Sequence, residues 1–171
     1  MSYRRIRCLL LLILASTPAS ATCWSDAERH FGIEARLLQA IAITESNMNP
    51  QATGFNKDGS RDIGLMQINS IHLPRLKALG IDEHLLYNDS CLSVMVGASV
   101  LADMMKRYGY SWEAVGAYNA GTAAHRRDLR RRYAKRVWGH YEKLPAERPG
   151  NAPAAPAKYP ASPKLKGITN T

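Results

Sequence analysis

Glu45 stands where an acid is poorly placed by composition, at the end of a helical apolar run that includes Leu37, Leu38 and Ile41. Leu37 and Ile41 precede it by two helical turns and one, so the three share a stripe. Burial disfavours the charged form of a carboxyl and raises its pKa. A carboxyl still protonated near neutral pH can serve as a general acid. The plainer alternative is a helix-end glutamate whose head reaches water. Other chemistries have less support. Ser46 has no nearby His-Asp set, which argues against a serine hydrolase. The histidines at 30, 72, 84, 125 and 140 show no paired spacing of the HExxH kind. No metal and no cofactor are predicted.

The elements around Glu45 follow from local signals. Ser25 and Glu28 form a capping box, which predicts a short helix starting there and stopping at Gly32. The helix that ends in Glu45 or Ser46 begins near Ile33 or Glu34, and Asn49-Pro50 blocks any continuation. A polar loop or small hairpin at Lys57-Asp58-Gly59 follows, then an extended or turning segment from Gly64 to Ser70. A helix from about Leu92 to Tyr108 would bury Val94, Gly97, Ala98, Leu101 and Met105. Ser111 caps a shorter helix that breaks at Asn119-Ala120-Gly121. The last helix spans about Ala123 to Leu144. Leu129, Tyr133, Val137 and Tyr141 form its buried stripe, and Arg126, Arg127, Arg130, Arg131, Arg132, Lys135 and Arg136 occupy its other faces.

The ends of the chain differ in kind. Arg4, Arg5 and Arg7, an apolar run from Cys8 to Ala15, and Ala19-Ser20-Ala21 read as a signal peptide over 1–21. Of the 9 prolines, Pro145, Pro149, Pro153, Pro156, Pro160 and Pro163 crowd residues 145–171, which read as a disordered tail or spacer. One mainly α domain over 22–144, with little or no β, remains. Cys23 and Cys91 are an even pair in an exported chain, and we expect a disulfide between them. The formal net charge is +9 and stays basic without the leader arginines, which suits an anionic partner.

Four motifs then stand in order: Glu45-Ser46, Gly64-Leu65-Met66-Gln67-Ile68-Asn69, Ala117-Tyr118-Asn119-Ala120-Gly121, and Tyr133. In this order they resemble the lysozyme-like lytic transglycosylases. The likeness is greatest to the small exported members that accompany bacterial secretion, pilus and conjugation machines. The resemblance implies a lysozyme-like helical domain crossed by a groove, acting in the periplasm on peptidoglycan glycan strands. Glu45 would be the sole catalytic acid, then base. Ser46 would hold the substrate or the acid, and Met66 and Gln67 would line the groove. Tyr118 and Asn119 would bind sugar, and Tyr133 would set its hydroxyl against Glu45. Alone, Tyr133 reads as a core aromatic. The implied reaction cleaves the bond between N-acetylmuramic acid and N-acetylglucosamine and leaves a 1,6-anhydro end. Glycoside hydrolysis usually takes two carboxylates. Asp62 is the candidate partner in a lysozyme-type hydrolase, against its reading as a structural loop carboxylate. A glycan-binding module without chemistry is a further alternative. The arginine face could bind nucleic acid, but the export signal and the lack of a nucleic-acid motif argue for a face that meets cell wall and not nucleic acid; a monomer is expected.

Overall fold

A computed structural model describes residues 19–145. The signal expected over 1–21 lies outside these residues, except for Ala19 to Ala21. The proline-rich tail lies outside them, except for Pro145.

Among the described residues, seven α-helices accompany a small sheet that packs against two of them. Helices α1 (Ala19–Phe31) and α2 (Ala35–Ser46) come first. The sheet follows, with β1 (Thr53–Phe55), β2 (Arg61–Ile63) and β3 (Ile68–Asn69) in antiparallel order β1-β2-β3. Next are α3 (Leu73–Lys77), α4 (Glu83–Asn88), α5 (Ser90–Tyr108), α6 (Trp112–Ala120) and α7 (Arg127–Tyr141). Leu37, Leu38 and Ile41 of α2 have no exposed surface, so this helix is the axis of the core. Burying each such side chain contributes about 2 kcal/mol. α7 packs on α2 and α6, and α5 packs on α1 and α6.

The helix predicted from Ser25 starts earlier, at Ala19, so Ser25 lies in its interior. Ala19, Ala21 and Ala27 favour helix and extend it past a residue that could have capped it. Glu28 caps the next helix: its Oε2 accepts from the Ala35 amide at 3.3 Å, at the first turn of α2. Helices α3 and α4 were not expected between Pro74 and Gly80 and beyond. Asp82 starts α4 by accepting from the Leu85 amide at 2.9 Å. The cap predicted at Ser111 is present on α6, and Asp89 caps α5 by accepting from the Leu92 amide.

The stripe predicted on α7 is correct at Tyr133 and Val137, while Leu129 is 44% exposed. Arg130, placed on the charged face by its sequence, is 4% exposed. Its Nε donates to Glu113 Oε1 at 2.6 Å, and its Nη1 donates to the carbonyls of Gly121 and Ala123 at 3.2 and 2.8 Å. A guanidinium with fixed forked donors can fasten the α6–α7 connection in this way. Gly116 lets the two helices meet there, since a Cβ on it would lie 2.4 Å from the Arg130 carbonyl oxygen.

Cys23 and Cys91 are joined, with their Cα atoms 5.1 Å apart and a sequence separation of 68. The bond ties α1 to the start of α5. A loop of that length gives about 4 kcal/mol in the chain-entropy picture.

Candidate active site

Glu45, in the last turn of α2, lines a cleft of about 670 Å³. The hairpin residues Asn56, Lys57 and Asp58 form one wall. Val100 and Met104 of α5, Tyr118 of α6, and Gly121, Thr122 and Arg126 of the α6–α7 connection form the other. The stripe logic accounts for the position of Glu45. Leu37 and Ile41 are fully buried beneath it, and the carboxyl emerges only where the helix ends.

Burial pushes the Glu45 carboxyl up to about 7, and the negative charge of Asp62 adds to the rise. Hydrogen bonds from Tyr133 and Asn119 and the positive charge of Arg136 oppose it without reversing it. The Tyr133 hydroxyl donates to Glu45 Oε1 at 2.6 Å. Tyr133 itself is 2% exposed, and burial together with the Glu45 charge holds its phenol protonated. A neutral donor thus faces a carboxyl that is poised between its two forms near neutral pH.

The segment beside Glu45 is tightly made. Gly64 has φ +71°, and a Cβ there would sit 2.5 Å from the Leu86 carbonyl oxygen, so only glycine fits. Gln67 is also left-handed, at φ 48°. That conformation is unfavourable for a long side chain. Its amide nitrogen offsets the cost by donating to the carbonyls of Ala52 and Gly64 at 3.0 and 2.9 Å. The Tyr118 hydroxyl donates to the Met66 carbonyl at 2.7 Å and pins this turn to α6.

The expected site residues therefore divide. Glu45, Gln67, Tyr118, Asn119 and Asp62 all face the cleft. Tyr133 reaches Glu45 from α7. Met66 does not line the groove; it is fully buried and its side chain packs over Gly97 of α5. Ser46 is outside the cleft lining, and its Oγ donates to the Leu65 carbonyl at 2.7 Å. One residue past Glu45 on a helix points about 100° away, which turns Ser46 from the cleft toward the turn it anchors.

Asp62 sits in mid-sheet, opposite Gly54 on β1 and Asn69 on β3. The Asn69 and Asn56 side-chain amides donate to its Oδ1 and Oδ2 at 2.8 and 3.0 Å. It is both a structural carboxylate of the sheet and a cleft wall. Sequence reasoning missed Asn56, Asn69 and Arg126. Only the register of the sheet and the short turn before α7 bring them to the cleft, and neither has a local signature.

The family described as "Transglycosylase SLT domain" matches residues 22–140. The chain belongs to the transglycosylase SLT domain family. Among its relatives is the invasion protein IagB of Salmonella typhimurium, 59% identical over 136 residues, which cover 80% of this chain and 85% of IagB. Protein IpgF of Shigella flexneri is 41% identical over 138 residues, 81% of this chain and 91% of IpgF. A solved structure of an inactive mutant of the lytic transglycosylase Slt from Pseudomonas aeruginosa shares the fold, with a TM-score of 0.56 and 20% identity. That match covers 72% of this chain but 23% of the Slt chain. This chain is thus an SLT-type peptidoglycan lytic transglycosylase. Glu45 brings to this cleft a carboxyl raised to about 7.

Proposed function

We propose that this SLT enzyme cleaves the bond between N-acetylmuramic acid and N-acetylglucosamine without water, leaving 1,6-anhydro ends. The Glu45–Tyr133 pair carries the reading: one carboxyl, raised to about 7, is held by a 2.6 Å hydrogen bond in the cleft. Protonated Glu45 gives its proton to the glycosidic oxygen, and the bond from that oxygen to C1 of the muramyl sugar breaks. The oxocarbenium-like centre that develops is stabilised by the sugar's own acetamido group. Glu45 is now a carboxylate, and the Tyr133 hydroxyl stabilises that form. It then removes the proton from the C6 hydroxyl as that oxygen bonds to C1. Glu45 ends protonated, and no water is consumed. A single group serves as acid and then base because its pKa lies near the working pH.

We place the enzyme in the periplasm of a Gram-negative cell, where it would open the wall locally for a secretion, pilus or conjugation apparatus. The likeness to an invasion protein and the cysteine pair support this reading.

The presence of Asp62 in the same cleft favours a second reading, a hydrolase in which it activates water or attacks the sugar. Digestion of purified sacculi by Glu45→Gln and Asp62→Asn separates the two. Glu45→Gln should lose turnover while keeping the fold and glycan binding, and Asp62→Asn should retain a measurable share. Equal loss in both variants, with both folded, would require two carboxylates and overturn the proposal.

A further inference from the structure

A second hollow of about 380 Å³ opens on α7 beside the cleft. Arg126, Leu129, Arg132, Tyr133 and Arg136 line it, and it shares Asn119 and Arg126 with the cleft. We propose that this hollow binds carboxylates of the peptide stems that the glycan carries. The proposal rests on the reading of peptidoglycan as substrate and extends it to the stems.

Three observations support it. First, none of the guanidiniums of Arg126, Arg132 and Arg136 has a carboxylate at ion-pair distance among the described residues. Arg126 donates to the Ala120 carbonyl at 3.4 Å, and Arg136 stands 5.4 Å over the Tyr133 ring. Second, Arg126 and Arg127 lie at the amino end of α7, where the helix dipole is already positive and Asp128 is the acid of the first turn. Positive side chains there are unfavourable, and a bound anion would relieve them. Third, Leu129 is exposed among these arginines. A ligand bearing both carboxylates and methyl or methylene groups matches that mixture. Short peptides of alanine and dibasic or acidic residues have this character, and a phosphate backbone has no apolar part for Leu129. The position also fits. Tyr133 forms the wall between the hollow and Glu45, so a stem leaving the muramyl sugar at the scissile bond starts within reach of it.

Arg132 makes the cleanest probe, since it is exposed and has no part in holding Glu45. Binding is measured on Glu45→Gln protein, with and without Arg132→Gln, against soluble glycan strands. One strand sample keeps its stems, and the other is stripped of them by an amidase. Strands with stems should bind more tightly. Arg132→Gln should weaken that binding about threefold and leave the stripped strands unaffected, and Arg132→Glu should weaken it further. The effect should shrink as salt is added. Circular dichroism confirms that each variant is folded. Equal affinity for both strands, or a loss of equal size on both, would overturn the proposal. So would a short DNA duplex that displaces stem-bearing strands and owes its own affinity to Arg132, since the hollow would then serve nucleic acid. Absence of cleavage by the unmodified enzyme would defeat the transglycosylase reading instead, and the binding comparison would still decide this one.

Discussion

Replacing Glu45 with Gln should stabilise the protein, by an amount that grows as pH rises above about 4.5 and is complete above about 7. Glu45 ionises near its ordinary 4.5 when unfolded and near 7 when folded, chiefly because folding buries it. Between those values the folded state keeps a proton that the unfolded chain has released. Stability therefore falls as pH rises from about 4.5 to 7, and the full penalty persists above that. At about 1.4 kcal/mol per pH unit the gap comes to about 3 kcal/mol. Glu45 keeps some solvent contact, and screening trims the figure to about 2–3 kcal/mol. Gln is nearly isosteric and its carbonyl oxygen can still accept from Tyr133, so the variant avoids the penalty without a cavity. For a domain of this size the difference is about 10 °C in Tm. Urea unfolding of both proteins at pH 4.5 and pH 8.5 measures it. Coincident curves at the lower pH and a higher midpoint for the variant at the upper pH are expected. A constant difference at both, or a less stable variant at pH 8.5, would refute the claim that Glu45 is held protonated by burial.

Three further outcomes follow from the same geometry. The kcat/KM on sacculi should fall about tenfold per pH unit above about 7, as Glu45 loses the proton it must donate; a pH–rate profile checks this. Tyr133→Phe removes the hydrogen bond that favours ionised Glu45, so the descending limb should move to higher pH while kcat drops about tenfold, as steady-state kinetics across pH would show. Gly116→Ala should destabilise by about 3 kcal/mol in thermal or denaturant unfolding, because its Cβ would press on α7 backbone rather than on a movable side chain.

Local rules mark Glu45 and the turns near it, and the resemblance to the lysozyme-like lytic transglycosylases supplied the roles expected of Gln67, Tyr118, Asn119 and Tyr133. The apolar stripe of α2 announces Glu45, and the breaks at Gly64 and Gly121 mark the turns that carry Gln67 and follow Asn119. What failed was decided by contacts distant in sequence. Arg130 reads as one more arginine on a basic helix, and only Glu113 and two carbonyls of another segment make it a buried clamp. Leu129 follows the buried periodicity, yet it is 44% exposed, because among the described residues no element covers that part of α7. Met66 and Gln67 are adjacent in the same motif, and the left-handed turn sends one into the core and the other to the cleft. Sequence alone cannot assign those two directions without the backbone angle.

Digestion of sacculi in water enriched in heavy oxygen tests the central claim most directly. With one carboxyl acting as acid and then base, muramyl ends should be released as anhydro sugars that carry no heavy oxygen, as mass analysis of the fragments would show. Reducing ends labelled with heavy oxygen as the main product would mean that water attacks the sugar. The account of Glu45 acting alone would then be wrong.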